Sequence, residues 1–258
     1  MPGGEALVVG DSHGDWPTVE MLVERFFSGP EARSRWIALG DYVDRTPKGL
    51  PQGSLRNALY LLSLRAAFPE SVVLLRGNHE TQRRIPAGMH FVHDEAVELW
   101  GTPAVAERVQ DLFDRLPLAA VTESGAYLAH AGFPLGPGGD WKTELASSSE
   151  RVLFEVVWND VEMSPSCGHR GVDQEPIRRE NLERFLSRAG CTVFVRGHDP
   201  DMAGQILFGR RLLTVHGARV FARAGLTVAS VPLGEPVREL SETMLRRLSF
   251  PPLPVRRA

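Results

Sequence analysis

Short apolar runs along this chain end repeatedly at a glycine followed by a polar side chain. Leu7-Val8-Val9-Gly10 leads into Asp11 and His13, Ile37-Ala38-Leu39-Gly40 into Asp41, and Val72-Val73-Leu74-Leu75-Arg76-Gly77 into Asn78 and His79. Val193-Phe194-Val195-Arg196-Gly197 leads into His198, and Ala126-Tyr127-Leu128-Ala129 ends directly at His130. Continuous apolar runs this short read as buried strands. Helical spacing separates the early ones. Residues 17–27 place Val19, Leu22, Val23 and Phe26 on one face behind Pro17, and residues 53–67 place Leu55, Leu59, Leu62 and Ala66 on another before Pro69. Helices are also predicted over 92–100 and 103–115.

The second half is richer in strands. Runs at 117–122 and 126–131 flank a turn at Glu123-Ser124-Gly125. Helices are predicted at 149–157 and 179–189, then strands at 191–196, 204–208, 211–216, 219–223 and 227–231, and a terminal helix at 235–248. Residues 134–140 and 163–174 read as loops. No linker or repeat divides the chain, so one domain over 1–258 is expected, an α/β arrangement of two sheets with helices outside. If the five strands are neighbours, their ends gather oxygen and nitrogen donors at one sheet edge. Ligands in α/β folds collect at the carboxyl ends of strands. Glycine suits such junctions, where the chain turns sharply close to a bound ion.

Bulk properties narrow the function. The 258 residues carry a formal net charge of -3, which provides no overall basic field for nucleic acid. The tryptophans follow no stacking pattern and read as core or interface residues. No apolar stretch approaches the ~18 residues needed to span a bilayer. The start of the chain lacks the pattern of a secretion signal. Two cysteines, Cys167 and Cys191, make no disulfide framework and suit a reducing cytoplasm.

Singly, these motifs are weak: an Asp or His at a strand end is commonly a turn or capping residue, and Asp41, Asp44 and Arg45 could form a surface ion pair of little value. Together and in this order they are specific. Gly10-Asp11-Ser12-His13-Gly14, Gly40-Asp41-Tyr42-Val43-Asp44-Arg45, Leu75-Arg76-Gly77-Asn78-His79-Glu80, His130-Ala131-Gly132 and Arg196-Gly197-His198 resemble the motifs of PPP-type serine/threonine protein phosphatases, within the calcineurin-like metallophosphoesterase superfamily. The similarity runs over roughly residues 5–216 and extends to Leu116-Pro117-Leu118 and Val157-Trp158-Asn159-Asp160.

The resemblance implies a β-sandwich of two mixed sheets flanked by helices and a centre for two divalent metal ions, Mn or Fe/Zn. It implies that Asp11 and His13 bind the first ion, that Asp41 bridges both, and that Asn78, His130 and His198 complete the second. Such a donor mixture suits these metals better than calcium. It further implies in-line attack on phosphorus by a metal-bridging hydroxide. Arg45 and Arg170 would hold the phosphate, His79 would act as general acid, and Asp44 would orient His79. The substrate would be phosphoserine or phosphothreonine in a protein. The alternative is a small phosphorylated metabolite such as a dinucleoside polyphosphate. A silent binding module fits poorly, because every ligand and the acid are present.

The chain departs from the family pattern in places. Thr46 replaces a glycine and is expected to reshape the phosphate pocket. The family's late tyrosine segment is not recognisable in Val215-His216-Gly217-Ala218-Arg219-Val220-Phe221. The bland reading is preferred for His90 and His93 as solvent-exposed, for Cys167 as a passive thiol, and for His169 and His216. Of these, His216 follows a strand that lines the cleft in the resembling proteins. Oligomeric state is left open.

Overall fold

Strands β1 (Glu5–Val9), β2 (Arg35–Ala38) and β3 (Val72–Leu74) run parallel, joined by helices α1 (Trp16–Phe26) and α2 (Gly53–Ala67). The computed structural model describes residues 4–29, 32–88, 91–136, 138–169 and 175–254. Helices α3 (Phe91–Trp100) and α4 (Ala104–Phe113) follow, then strands β4 (Ala119–Val121) and β5 (Ala126–Ala129). Next come α5 (Trp141–Ser147), α6 (Glu150–Val157), α7 (Arg179–Ala189), β6 (Val193–Arg196), β7 (Ile206–Leu207), β8 (Leu212–Thr214), β9 (Leu226–Pro232) and β10 (Leu245–Leu248). One sheet has the order β10-β9-β1-β2-β3 and the other β4-β5-β6-β8-β7. The first sheet is parallel from β1 through β2 to β3 and antiparallel from β1 through β9 to β10, and the second has a parallel centre with antiparallel edges, so both are mixed.

Alternation along the strands assigns the layers. In β1, Ala6 and Val8 join Ile37, Leu128, Val195 and Leu213 in the cluster between the sheets. Leu7 and Val9 face the opposite way, into a cluster with Val19, Leu22 and Phe26 of α1 and Leu55 of α2. On the far side of the second sheet, Tyr127 and Phe194 pack with Val152, Val156 and Phe185 of α6 and α7. This is the expected two-sheet sandwich with helices outside. The metal-type residues lie at the carboxyl ends of β1, β2 and β3 in one sheet and of β5 and β6 in the other, so the expectation of one sheet edge becomes two edges facing each other.

Three local expectations are corrected. Residues 219–223, read as a strand, form a 3₁₀ segment, Arg219–Ala224, broken at Phe221. The terminal helix at 235–248 is absent. The Val237 and Leu240 amides donate to the carbonyls of Ser124 and Arg210 across the fold, and Leu245–Leu248 pair as edge strand β10. Pro236 interrupts the start of that stretch, and the helical apolar spacing was met by tertiary burial instead. In α2 the buried face is Leu55, Ala58 and Leu61, while Leu59 is 39% exposed. Helix α5, capped by the Asp140 carboxylate, was not anticipated. Trp36 is core, but Trp100 is 49% exposed.

Candidate metal centre

All of the described candidate metal ligands are buried: Asp11, His13, Asp41, Asn78 and His130 are at most 2% exposed and His198 is 4% exposed. Backbone bends bring them together. His13, Asp41 and His198 all take positive φ, at 42°, 56° and 72°. Such values are uncommon outside glycine and collect at functional sites. The glycines serve space more than turning at two junctions. A Cβ at Gly77 would lie 2.3 Å from Asp41 Oδ1, and one at Gly197 would lie 2.6 Å from Asp11 Oδ1.

His13 Nδ1 donates to the Val43 carbonyl at 2.8 Å, so its Nε2 presents a lone pair inward. That nitrogen lies 3.8 Å from Asp11 Oδ2 and 3.5 Å from Asp41 Oδ2. On the other side of Asp41, His130 Nε2 lies 3.4 Å from Oδ1. The Asn78 amide oxygen is 2.9 Å from His130 Nε2 and 3.1 Å from His198 Nδ1. The Asp41 carboxylate thus stands between two donor groups, one containing His13 and the other His130 and His198. With the Asn78 oxygen inward, it converges with the Asp41 carboxylate and with ring nitrogens of His130 and His198. Only the reversed amide would donate to them. A cation satisfies the inward-oxygen arrangement, and it offsets the cost of burying two carboxylates so close together. The residues therefore fit a pair of divalent ions.

The electrostatics agree. Burial pushes the His13 imidazole down to about 4, leaving it neutral and able to bind a cation. Burial alone would raise Asp41, but the His130 and His79 charges outweigh it and hold the carboxyl well below the usual range. For His79, burial lowers the pKa while the Asp41 charge and the Asp44 hydrogen bond raise it more, so the net shift is upward.

His79 Nδ1 and Asp44 Oδ2 are 2.7 Å apart, and Asp44 Oδ2 also accepts from Gln82 at 2.7 Å. Asp44 Oδ1 accepts the Phe91 amide at 3.0 Å. His79 Nε2 faces inward, 3.9 Å from Asp41 Oδ2, which puts it among the groups that could also touch a cation. Asn78 has φ -71° and ψ -30° at the head of the 3₁₀ turn His79–Thr81, so it diverges from His79 by helical rather than strand geometry. The half-buried Arg45 lies with its guanidinium carbon 5.4 Å from the centre of the Phe221 ring. Arg170 and His90 lie outside the described residues. His169 is exposed, and His93 is half exposed beside Asp94.

The Thr46 hydroxyl is 2.8 Å from Ser54 Oγ, and its side chain packs under Gly14 and Gly53. Three residues gained importance only in three dimensions. Glu80, fully buried, accepts the amides of Asp41 at 2.7 Å, Tyr42 at 2.8 Å and Gly77 at 2.9 Å, tying the second motif to the third. Burial and the Asp41 charge raise its pKa to about 7. Phe221 sets an aromatic ring without a hydroxyl 6.1 Å from the His13 ring. His216 is fully buried with Nε2 3.5 Å from Asp11 Oδ2, against the preferred bland reading. Glu80 was legible as part of its motif; Phe221 and His216 carried only their place after a strand.

Two facing sheets whose strand ends converge on imidazoles, carboxylates and an amide define a metal-dependent hydrolase. Residues 5–202 match the calcineurin-like phosphoesterase family, and the chain belongs to it. The serine/threonine-protein phosphatase 4 catalytic subunit of Saccharomyces cerevisiae is 30% identical over 234 residues, covering 87% of this chain and 72% of that protein. Its counterpart in Kluyveromyces lactis is 30% identical over 236 residues, with the same coverage of 87% and 72%. Among solved structures, a protein serine/threonine phosphatase from Saccharomyces cerevisiae with similarity to human phosphatase PP5 superposes with a TM-score of 0.74. That likeness has 24% identity over 100% of this chain and 82% of the other, and it bears on the fold. A cold-active protein-tyrosine phosphatase from Shewanella gives a TM-score of 0.61 at 14% identity, covering 88% and 75%. Among the described residues no helix is long and apolar enough to cross a membrane.

Proposed function

We propose that this protein hydrolyses phosphate monoesters of serine and threonine in proteins. The observation that carries the reading is the His79–Asp44 pair, 2.7 Å apart, beside two donor groups that share Asp41. The serine of a phosphoserine leaves phosphorus as an alkoxide, which needs a proton, and a histidine held by a carboxylate supplies one. The 30% identity to serine/threonine phosphatase catalytic subunits supports the same substrate class. Hydrolysis of a dinucleoside polyphosphate is not favoured by these relatives.

In this reading Asp11, His13 and Asp41 hold one ion, and Asp41, Asn78, His130 and His198 hold the other, as manganese, iron or zinc. When bound, the ions supply Lewis acidity toward phosphate oxygens and lower the pKa of water. His79 keeps a proton on Nε2 for the leaving oxygen while Asp44 fixes its ring. This role suits its raised pKa better than ligation does. Arg45, with Arg170, binds the phosphate through its planar fork. The whole chain acts as one catalytic domain, and its two unpaired cysteines suit the cytoplasm.

The test is steady-state hydrolysis of phosphoserine and phosphothreonine peptides with manganese, beside diadenosine tetraphosphate. Higher kcat/KM on the peptides is expected. Turnover of the dinucleotide alone, or of neither, would overturn the proposal.

A further inference from the structure

His216 lies just beyond β8 with no exposed surface, and its surroundings fix both its place and its proton. Its backbone amide donates to Thr227 Oγ1 at 2.9 Å, and its carbonyl accepts the Thr227 amide at 2.9 Å. The next residue, Gly217, donates its amide to the Asp11 carbonyl at 3.0 Å. Two residues on, Arg219 Nε donates to Asp15 Oδ2 at 3.0 Å. The segment carrying His216 is therefore fastened to the loop carrying Asp11 from two sides. The imidazole packs edge-on against Phe221 at 5.5 Å.

The ring's Nδ1 accepts the Ala218 amide at 3.4 Å. A ring that accepts at Nδ1 carries its proton at Nε2. That nitrogen lies 3.5 Å from Asp11 Oδ2 and makes no hydrogen bond among the described residues. The other oxygen of Asp11 accepts the His198 amide at 2.8 Å. One oxygen of the carboxylate thus takes an amide N–H and the other has the His216 ring nitrogen beside it, each from a different strand end. Resting on the two-ion reading above, we propose that His216 is a positioning residue. It directs its Nε2 proton to Asp11 Oδ2, setting the carboxylate so that the remaining lone pair meets the first metal ion beside His13. Groups that orient metal ligands typically change affinity by about 10–100-fold when lost.

Manganese binding by the purified, metal-stripped protein, followed by electron paramagnetic resonance and metal analysis, tests this. His216→Phe keeps a ring against Phe221 but has no N–H, and His216→Gln restores an N–H. Wild type should bind two ions. The Phe variant should bind one of them about 10–100-fold more weakly, and the Gln variant should recover most of the loss. Unchanged affinities in the Phe variant would overturn the proposal, and so would a Gln variant no better than Phe. Wild type that binds no manganese would instead remove the metal centre itself. Nitrogen-15 spectra of imidazoles in the zinc-loaded wild type need no variant. A proton on His216 Nε2 is expected, and a metal-bound Nε2 or a proton on Nδ1 would overturn the assignment.

Discussion

Asp44 Oδ2 sits 2.7 Å from His79 Nδ1, and both side chains are only 1% exposed. The pair is held by more than itself, since Gln82 and the Phe91 amide also bond to Asp44. His79 can therefore tilt little, and its inward nitrogen stays aimed at the centre. Asp44→Asn should keep the metals and lose about 10²–10⁴-fold in kcat on phosphoserine peptides, the range for a general acid. The loss on p-nitrophenyl phosphate should be much smaller, because nitrophenolate leaves without a proton. Equal losses on both substrates, measured at saturating manganese, would show that the pair does not serve proton transfer.

The buried carboxylates of Asp11 and Asp41 give metal removal a stability signature. Each bound ion stabilises the folded state by about 2.7 kcal/mol at a free concentration one hundred times its Kd. Chelation should abolish activity and lower Tm, and added manganese should restore both. Asp41→Asn removes a shared donor, so its Tm should not respond to manganese. A wild-type melting curve that is the same with chelator and with excess manganese would count against the centre.

Much of the site was legible because each donor sits within a few residues of a short apolar run. Strand direction alone then carries Asp11, Asp41, Asn78, His130 and His198 to converging ends. Residues that act across the fold had no such signal. His216 meets Asp11 only because β8 lies beside β6 in the second sheet while Asp11 follows β1 in the first. The stretch from 235 to 248 has helical spacing, but its amides found carbonyls of Ser124 and Arg210, distant in sequence. Alternation of apolar residues cannot register such partners. Thr46 shows the same limit: its adjacency to Arg45 in sequence does not register the turn of its side chain to Ser54.

That orientation makes Thr46→Gly a substitution with separable effects. The change removes the hydroxyl contact with Ser54 and adds freedom to the unfolded chain, together about 1–2 kcal/mol of destabilisation. KM for a phosphopeptide should move less than about twofold, since a conformational-freedom cost of this kind is not a phosphate contact. Thermal melting and steady-state kinetics on one preparation separate the two. A large KM change with unaltered Tm would return Thr46 to the phosphate pocket.

Glu80 joins the loops that carry the two central ligands. Its carboxylate takes three backbone amides, two from the Asp41-Tyr42 turn and one from Gly77, in a place with no water-exposed surface. Glu80→Ala strands those donors, at about 1–3 kcal/mol each before any relaxation. It also frees Asp41, whose backbone at φ 56° is held partly by this contact. The variant should therefore lose stability and bind manganese more weakly, although Glu80 is no ligand. Glu80→Gln keeps one acceptor oxygen but turns an NH₂ toward an N–H, so it should fall between wild type and Glu80→Ala in both measurements. Denaturant unfolding gives the first quantity and manganese titration the second. Loss of stability with wild-type metal affinity would mean that the Asp41 turn holds its shape without Glu80.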